Sequence, residues 1–379
     1  VVVFEGEQTD VCASQYAYHD RGFVHEFQLR SITFFTSKYW YRKLTAENLK
    51  TVSADAEPAS FKEVPIQADA QLGTFADAAM LSLRSDWQPP GCDATFKAGS
   101  LLSVPMEKAM QGDWGGVVAL FEPTPSKSLE ERTETRDFLI LKTLQDVRTV
   151  LEFWKYEDGR WEKQSSGSSE AVAVGEDVNI QCLARMAEET NEVWITRDGF
   201  LVPDSQEIGN AENGCSVTET LRSKPAMFDA SGLTVEQNFA TSLDGTKIPY
   251  FVMRRAGIEF NGSNPTLLDA YGGFELSQLP YYSAAVGAGW LEKGGVKVVA
   301  NIRGGGEYGP KWHQAALKEK RYKAYEDVEA VAADLIERKI CQPSTLACIG
   351  GSNGGLLVGN MITRPRASTL FGAAVCQVP

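Results

Sequence analysis

Two hydrophobic periodicities divide this chain. From residue 1 to about residue 230, short stretches of alternating apolar and polar positions follow one another between turn residues. Residues 31–36 (SITFFT), 79–84 (AMLSLR), 116–121 (GVVALF), 137–141 (DFLIL) and 193–196 (VWIT) are examples, rich in β-branched and aromatic side chains. This pattern predicts strands, with little sign of the 3.6-residue period of a helix. The opening residues Val1, Val2, Val3 and Phe4 also read as part of a strand. Beyond residue 240 the pattern changes to alternating strands and helices. Apolar runs at 266–271 and 296–302 are followed by glycine-rich loops, and 325–338 places Val328, Val331, Leu335 and Ile336 on one helical face. Successive βα units predict a parallel sheet covered by helices.

Within the first part a loose repeat is visible. Strands at 38–41, 100–104, 149–153 and 192–195 return roughly every 40 to 60 residues, with polar turns such as Glu157-Asp158-Gly159-Arg160 between them. Four-stranded propeller blades have about this period, and residues 1–230 would hold four to five of them. A large sandwich or two small barrels fit the same pattern. The pattern predicts a β-rich part over 1–230, four to five blades if it is a propeller, and an α/β part over 231–379. Asp244-Gly245 marks a hairpin just after the transition.

The segment 346–358 carries the clearest chemistry. An apolar strand runs into Gly350-Gly351-Ser352-Asn353-Gly354-Gly355, and an apolar helix pattern follows until Arg364-Pro365 stops it. This is the layout of a nucleophile elbow, Gly-x-Ser-x-Gly. A serine hydroxyl reaches a carbonyl only when a sharp turn lifts it from the sheet, and such a turn has no room for side chains two positions away. Gly350 and Gly354 provide that room, and the first amide of the helix, at Asn353, would donate to an oxyanion. A flexible surface loop has the same composition but does not explain the apolar flanks.

Composition narrows the alternatives. The apolar fraction of 43% and charged fraction of 23% are those of a globular protein. A net charge of -13 argues against nucleic acid or an anionic membrane as the main partner. Seven cysteines, irregularly spaced and without a C-x-x-C pair, suggest buried thiols in a reducing compartment, and a cytoplasmic location is expected. The three histidines, His19, His25 and His313, have no metal-ligand spacing, so no metal is expected.

Three segments, Tyr271-Gly272-Gly273-Phe274, 301–309 (NIRGGGEYG) and 350–357 (GGSNGGLL), lie in order within about 90 residues, each at a βα boundary. Together they closely resemble the prolyl oligopeptidase family of serine peptidases. The resemblance covers 240–379 and, more weakly, the β-rich part. It implies an α/β-hydrolase domain capped by a seven-bladed propeller that admits only peptides, so that 1–230 would be a partial β-propeller of four to five blades and 231–379 the N-terminal part of an α/β-hydrolase catalytic domain. It implies Ser352 as nucleophile, Tyr271 through its hydroxyl and Asn353 through its backbone N–H as oxyanion donors, and Phe274 in the pocket for a substrate proline. It implies short peptides as substrates and no cofactor. Tyr271, at a strand end before the elbow, also sits where α/β-hydrolases place a second oxyanion donor. Taken by itself, Phe274 reads as a core aromatic and Tyr271 equally well as a buried tyrosine.

One departure bears on activity. The fold orders its partners Ser, Asp, His, yet all three histidines precede Ser352 and only 27 residues follow it. The expectation is a fragment truncated at both ends, lacking its catalytic Asp and His and inactive alone. Asp269 stands where many relatives carry tyrosine. Three other readings remain: a non-catalytic propeller and hydrolase scaffold, a small-substrate esterase, and a nucleotide-binding oxidoreductase. The last rests on Gly304-x-Gly306-x-x-Gly309 with Glu326 and Asp327 about 20 residues on.

Overall fold

A computed structural model describes residues 2–44, 60–164 and 178–379. The β-rich part forms four successive four-stranded antiparallel sheets. The first comprises β1 (Cys12–Asp20), β2 (Phe23–Thr33), β3 (Thr36–Leu44) and β4 (Lys62–Glu63); the second, β5 (Gln71–Phe75), β6 (Ala78–Ser82), β7 (Leu101–Pro105) and β8 (Val118–Phe121). The third is built from β9 (Lys127–Glu134), β10 (Phe138–Gln145), β11 (Arg148–Glu157) and β12 (Arg160–Lys163). The fourth contains β13 (Val178–Ala184), β14 (Glu192–Gly199), β15 (Ser205–Asn210) and β16 (Ser216–Ser223). Each sheet is a meander in which sequence neighbours pair, the form of a propeller blade. The repeated segments of the sequence fall on the third strand of the first three sheets but on the second strand of the fourth.

Two local expectations are corrected. Residues 2–7 belong to no strand, and the first strand starts only at Cys12; Val1 lies outside the described residues. Residues 31–36 are not one strand but the end of β2, a turn, and the start of β3. The turn places Phe34 and Phe35 at a hairpin tip, tied by a hydrogen bond between the Thr33 and Thr36 hydroxyls (2.7 Å) and by the Phe35 N–H donating to Thr33 Oγ1 (3.3 Å). A short helix, α1 (Met106–Gln111), also interrupts the β-rich part.

The second part is a six-stranded sheet. Its strands are β17 (Leu233–Thr241), β18 (Lys247–Arg255), β19 (Thr266–Ala270), β20 (Val296–Ala300), β21 (Leu346–Gly351) and β22 (Ala373–Gln377), in the order β17-β18-β20-β19-β21-β22. The sheet is mixed rather than wholly parallel. β17 and β18 form a hairpin, and β18 runs antiparallel to β20. From β20 onward the neighbours are parallel. β22 is an edge strand with all five residues exposed.

Alternation along β18 shows how the sheet is covered. Tyr250 and Val252 join the core that contains Val328, Val331 and Leu335 of α3 (Tyr322–Glu337) and Leu357, Val358 and Met361 of α4 (Asn353–Thr363). Phe251 and Met253, one residue out of phase, pack on the other face with Val299, Leu291, Phe200 and Val147. Strands buried on both faces read as continuous apolar runs, as Ile248 to Met253 of β18 does. Phe200 and Val147 come from the β-rich part, so the two halves share this second core. Burying each such side chain contributes about 1.5–3 kcal/mol.

Polar contacts complete the junction. Arg84 forms an ion pair with Glu275, and its carbonyl accepts from Gln314 Nε2 (2.8 Å). Ser277 Oγ donates to Glu130 (2.7 Å), Ser128 Oγ to the Glu307 carbonyl (2.8 Å), and the Tyr308 hydroxyl to Asp146 (3.1 Å).

Candidate active site

Ser352 stands between β21 and α4 with φ 53° and ψ −121°. Left-handed backbone at a residue with a Cβ is strained and persists only where the surroundings enforce it. Here they do. A Cβ on Gly350 would lie 2.5 Å from the Gly354 carbonyl oxygen, and one on Gly354 would lie 2.8 Å from the Ala270 carbonyl oxygen. A Cβ on Gly355 would run into the Gln377 carbonyl. The strand behind the turn is braced too, because the Ser352 N–H donates to the Gln377 carbonyl (3.0 Å). The segment is a packed strand–turn–helix corner, and the flexible-loop reading is set aside on that ground.

Asn353 is the first residue of α4, so its N–H has no intrahelical partner. Its side chain ties the elbow to the end of β19, with Nδ2 donating to the Tyr271 carbonyl (2.6 Å) and Oδ1 accepting from Arg321 Nη2 (3.1 Å). Arg321 also donates to the Gly272 carbonyl. A Cβ on Gly273 would collide with the Asn353 amide, which explains the second glycine after Tyr271. Tyr271 follows β19 directly, and its Cδ2 lies 3.7 Å from where a Gly354 Cβ would sit. The structure therefore brings Tyr271, Asn353 and Ser352 to one corner of the sheet.

Phe274 is not a core aromatic. It is 54% exposed, with φ 54°, and Glu275 follows at φ 59°. The chain there is pinned by the Glu275 N–H donating to the Gly304 carbonyl (3.2 Å) and by the Arg84 ion pair.

Residues 282–379 match the prolyl oligopeptidase family. Over its whole length the chain is 36% identical to an uncharacterized peptidase of Sinorhizobium fredii, of which it covers 50%. It is 38% identical over 172 residues to a prolyl endopeptidase of Elizabethkingia miricola, 45% of this chain and 24% of that protein. The structure of a post-proline cleaving enzyme from Rickettsia typhi superposes with a TM-score of 0.83 at 30% identity, covering 100% of this chain and 52% of that one. The chain carries a prolyl oligopeptidase family domain. It spans about half the length of these full-length relatives.

Against this family background, the remaining sequence candidates find structural explanations. His313 is buried beside Arg84, whose Nη2 lies 3.3 Å from its Nδ1, and Glu275, 3.5 Å away. Burial, with the Arg84 and Arg321 charges, pushes its pKa down to about 4. It is a neutral packing residue at the junction. His25 is held by the Tyr41 hydroxyl (3.0 Å) and the Ala76 carbonyl (2.8 Å), and His19 is exposed on β1. Among the described residues, no histidine is hydrogen-bonded to Ser352.

Asp269 is explained by its neighbour: it accepts from buried Lys297 (2.8 Å) on the adjacent strand. The dinucleotide-type fingerprint is a packing device. Cβ atoms on Gly304 and Gly306 would collide with the Gly272 and Glu275 carbonyls, so the loop is closed onto the Tyr271 turn. Asp327 is fully buried, accepting from Arg303 Nη2 (2.6 Å), the Arg303 N–H (3.0 Å) and Ser242 Oγ (2.7 Å), which leaves it no reach to a ribose.

Sequence reasoning passed over Arg321, Arg84 and Glu275. Arg321 lies in a polar stretch before α3 and Arg84 is far away in sequence, so neither carries a local signal. Glu275, directly after Phe274, was the one within reach of motif reading.

Proposed function

We propose that this chain carries the nucleophile and oxyanion donors of a serine-type oligopeptidase that cleaves short peptides after proline. Ser352 attacks the scissile carbonyl. The tetrahedral oxyanion accepts hydrogen bonds from the Asn353 N–H and the Tyr271 hydroxyl, the amine leaves, and water releases the acyl group from Ser352. Phe274, held outward by left-handed backbone, supplies an apolar surface for the proline. The four meanders act as blades of a propeller that limits entry to short peptides.

The observation that carries this reading is the strained Ser352 corner, where a Cβ on Gly350, Gly354 or Gly355 would collide with a backbone neighbour. Strain of this kind has no structural return in an inert scaffold. The general base and its carboxylate are not assigned to any described residue, since His19, His25 and His313 are engaged or placed elsewhere. The chain of residues 1–379 is accordingly expected to turn over no substrate by itself.

The test uses the full-length protein. A fluorophosphonate should label Ser352, and a blocked Gly-Pro anilide should be cleaved in preference to a simple aryl ester. Ser352→Ala should abolish both labelling and cleavage. Tyr271→Phe should lower kcat by about 100- to 1000-fold, the range for one oxyanion donor. Labelling without amide cleavage would favour the esterase reading, and absence of labelling the scaffold.

A further inference from the structure

The hairpin between β2 and β3 crosses from the β-rich part to the candidate active site. Its tip holds two adjacent aromatics that face different surroundings. Phe35 is the anchor: the Arg84 guanidinium stacks on its ring at 3.8 Å, and the His313 ring lies 5.1 Å away. Arg84 in turn is paired to Glu275, the residue after Phe274. The tip is therefore fastened to the same short segment that presents Phe274.

Phe34 is the residue left over. It is 71% exposed, yet its ring meets that of Phe274 edge-on, with centroids 6.2 Å apart and planes at 70°. Two large, exposed aromatics from opposite halves of the molecule thus form one apolar step. Phe34 also lines a cavity of about 730 Å³ together with Phe35, Arg84 and Glu275. An exposed apolar pair, one member of which lines a cavity, costs solubility and adds little to folding, which points to a ligand surface.

We propose that Phe34 is a specificity-determining residue of the Ser352 site. It extends the Phe274 surface to hold the apolar side chain of the peptide residue preceding the proline, and that wall is in place only when the first sheet is docked on the hydrolase half. The proposal rests on the reading of Ser352 and Phe274 given above. It deepens that reading by assigning part of the substrate site to the β-rich half.

The full-length protein tests this with two substrates, blocked Phe-Pro and Gly-Pro anilides, and with Phe34→Ala and Phe34→Leu. Wild type should favour Phe-Pro in kcat/KM. Phe34→Ala should reduce that preference by about 3- to 10-fold, chiefly through KM, the scale of one aromatic contact. Phe34→Leu should restore most of it. Fluorophosphonate labelling of each variant reports whether the elbow is intact. Wild-type preference retained in a labelled Phe34→Ala would overturn the role of Phe34 and leave the Ser352 reading standing. A wild-type protein that takes no label would overturn both.

Discussion

Two glycine-to-alanine substitutions, nine residues apart, should have opposite effects. At Gly350 a Cβ would meet three backbone atoms of Gly354, at 2.5, 2.6 and 2.9 Å. Ordinary carbon contacts begin near 3.4 Å, so the strand and helix would have to separate by several tenths of an ångström. No rotamer change can relieve a backbone clash, which puts the cost at the upper end of overpacking, about 3 kcal/mol. Gly359 lies in the middle of α4 and has nothing within 4 Å of its would-be Cβ. Alanine there should stabilise by about 0.5–1 kcal/mol through helix propensity alone. The pair therefore predicts a gap of roughly 3–4 kcal/mol between chemically identical changes, readable as midpoint shifts in urea unfolding at constant m. Gly350→Ala should also slow labelling of Ser352 by a fluorophosphonate in the full-length protein, while Gly359→Ala should not. A gap below about 1 kcal/mol would refute the claim that sterics at the turn hold Ser352 in its left-handed conformation.

Asp327→Ala should destabilise by about 3–5 kcal/mol, because it strips a buried guanidinium of its main partner and leaves Arg303 the partly exposed Asp244 as its one carboxylate, with the Ser242 and Thr246 hydroxyls; thermal unfolding would show this, and a loss under 1 kcal/mol would mean the pair is dispensable. Glu307 gives a pH signature. Burial pushes its carboxyl up to about 7 from an ordinary 4.5, so the folded state binds more protons than the unfolded one between these values. Stability should then fall as pH rises from 4.5 through 7, by about 3 kcal/mol in total, and Glu307→Gln should remove that slope. Equal slopes in wild type and variant would show that Glu307 titrates normally.

What was legible in the sequence follows from how local each constraint is. The elbow could be read because Gly350, Ser352 and Gly354 fall in one five-residue turn, with the Gly350–Gly354 contact wholly local, whereas the Ala270 carbonyl that excludes a side chain at Gly354 could not be seen. The meanders were visible because strand alternation repeats with a regular interval. The tip at Phe34-Phe35 was not visible, since neither residue favours a turn and the Thr33–Thr36 hydroxyl bond that closes it has no composition signal. Reading 31–36 as an uninterrupted strand hid the aromatic pair that reaches Phe274. The antiparallel start of the sheet was likewise missed, because the Asp244-Gly245 hairpin fixes β17 against β18 but says nothing of β18 against β20. Asp269 and Asp327 needed their partners in space, Lys297 and Arg303, before either made sense.

The outer side of β22 has a mechanical consequence for the serine. Its backbone groups on that side are open to recruit another strand, while on the inner side Gln377 pairs with Gly351 and its carbonyl holds the Ser352 N–H. Any segment that zips onto this border, whether from the same polypeptide or another, would stiffen a strand whose Gln377 carbonyl holds the backbone of the nucleophile. The rim of the sheet and the pose of the hydroxyl are thus linked through the β21–β22 ladder and the Ser352 N–H bond at its end.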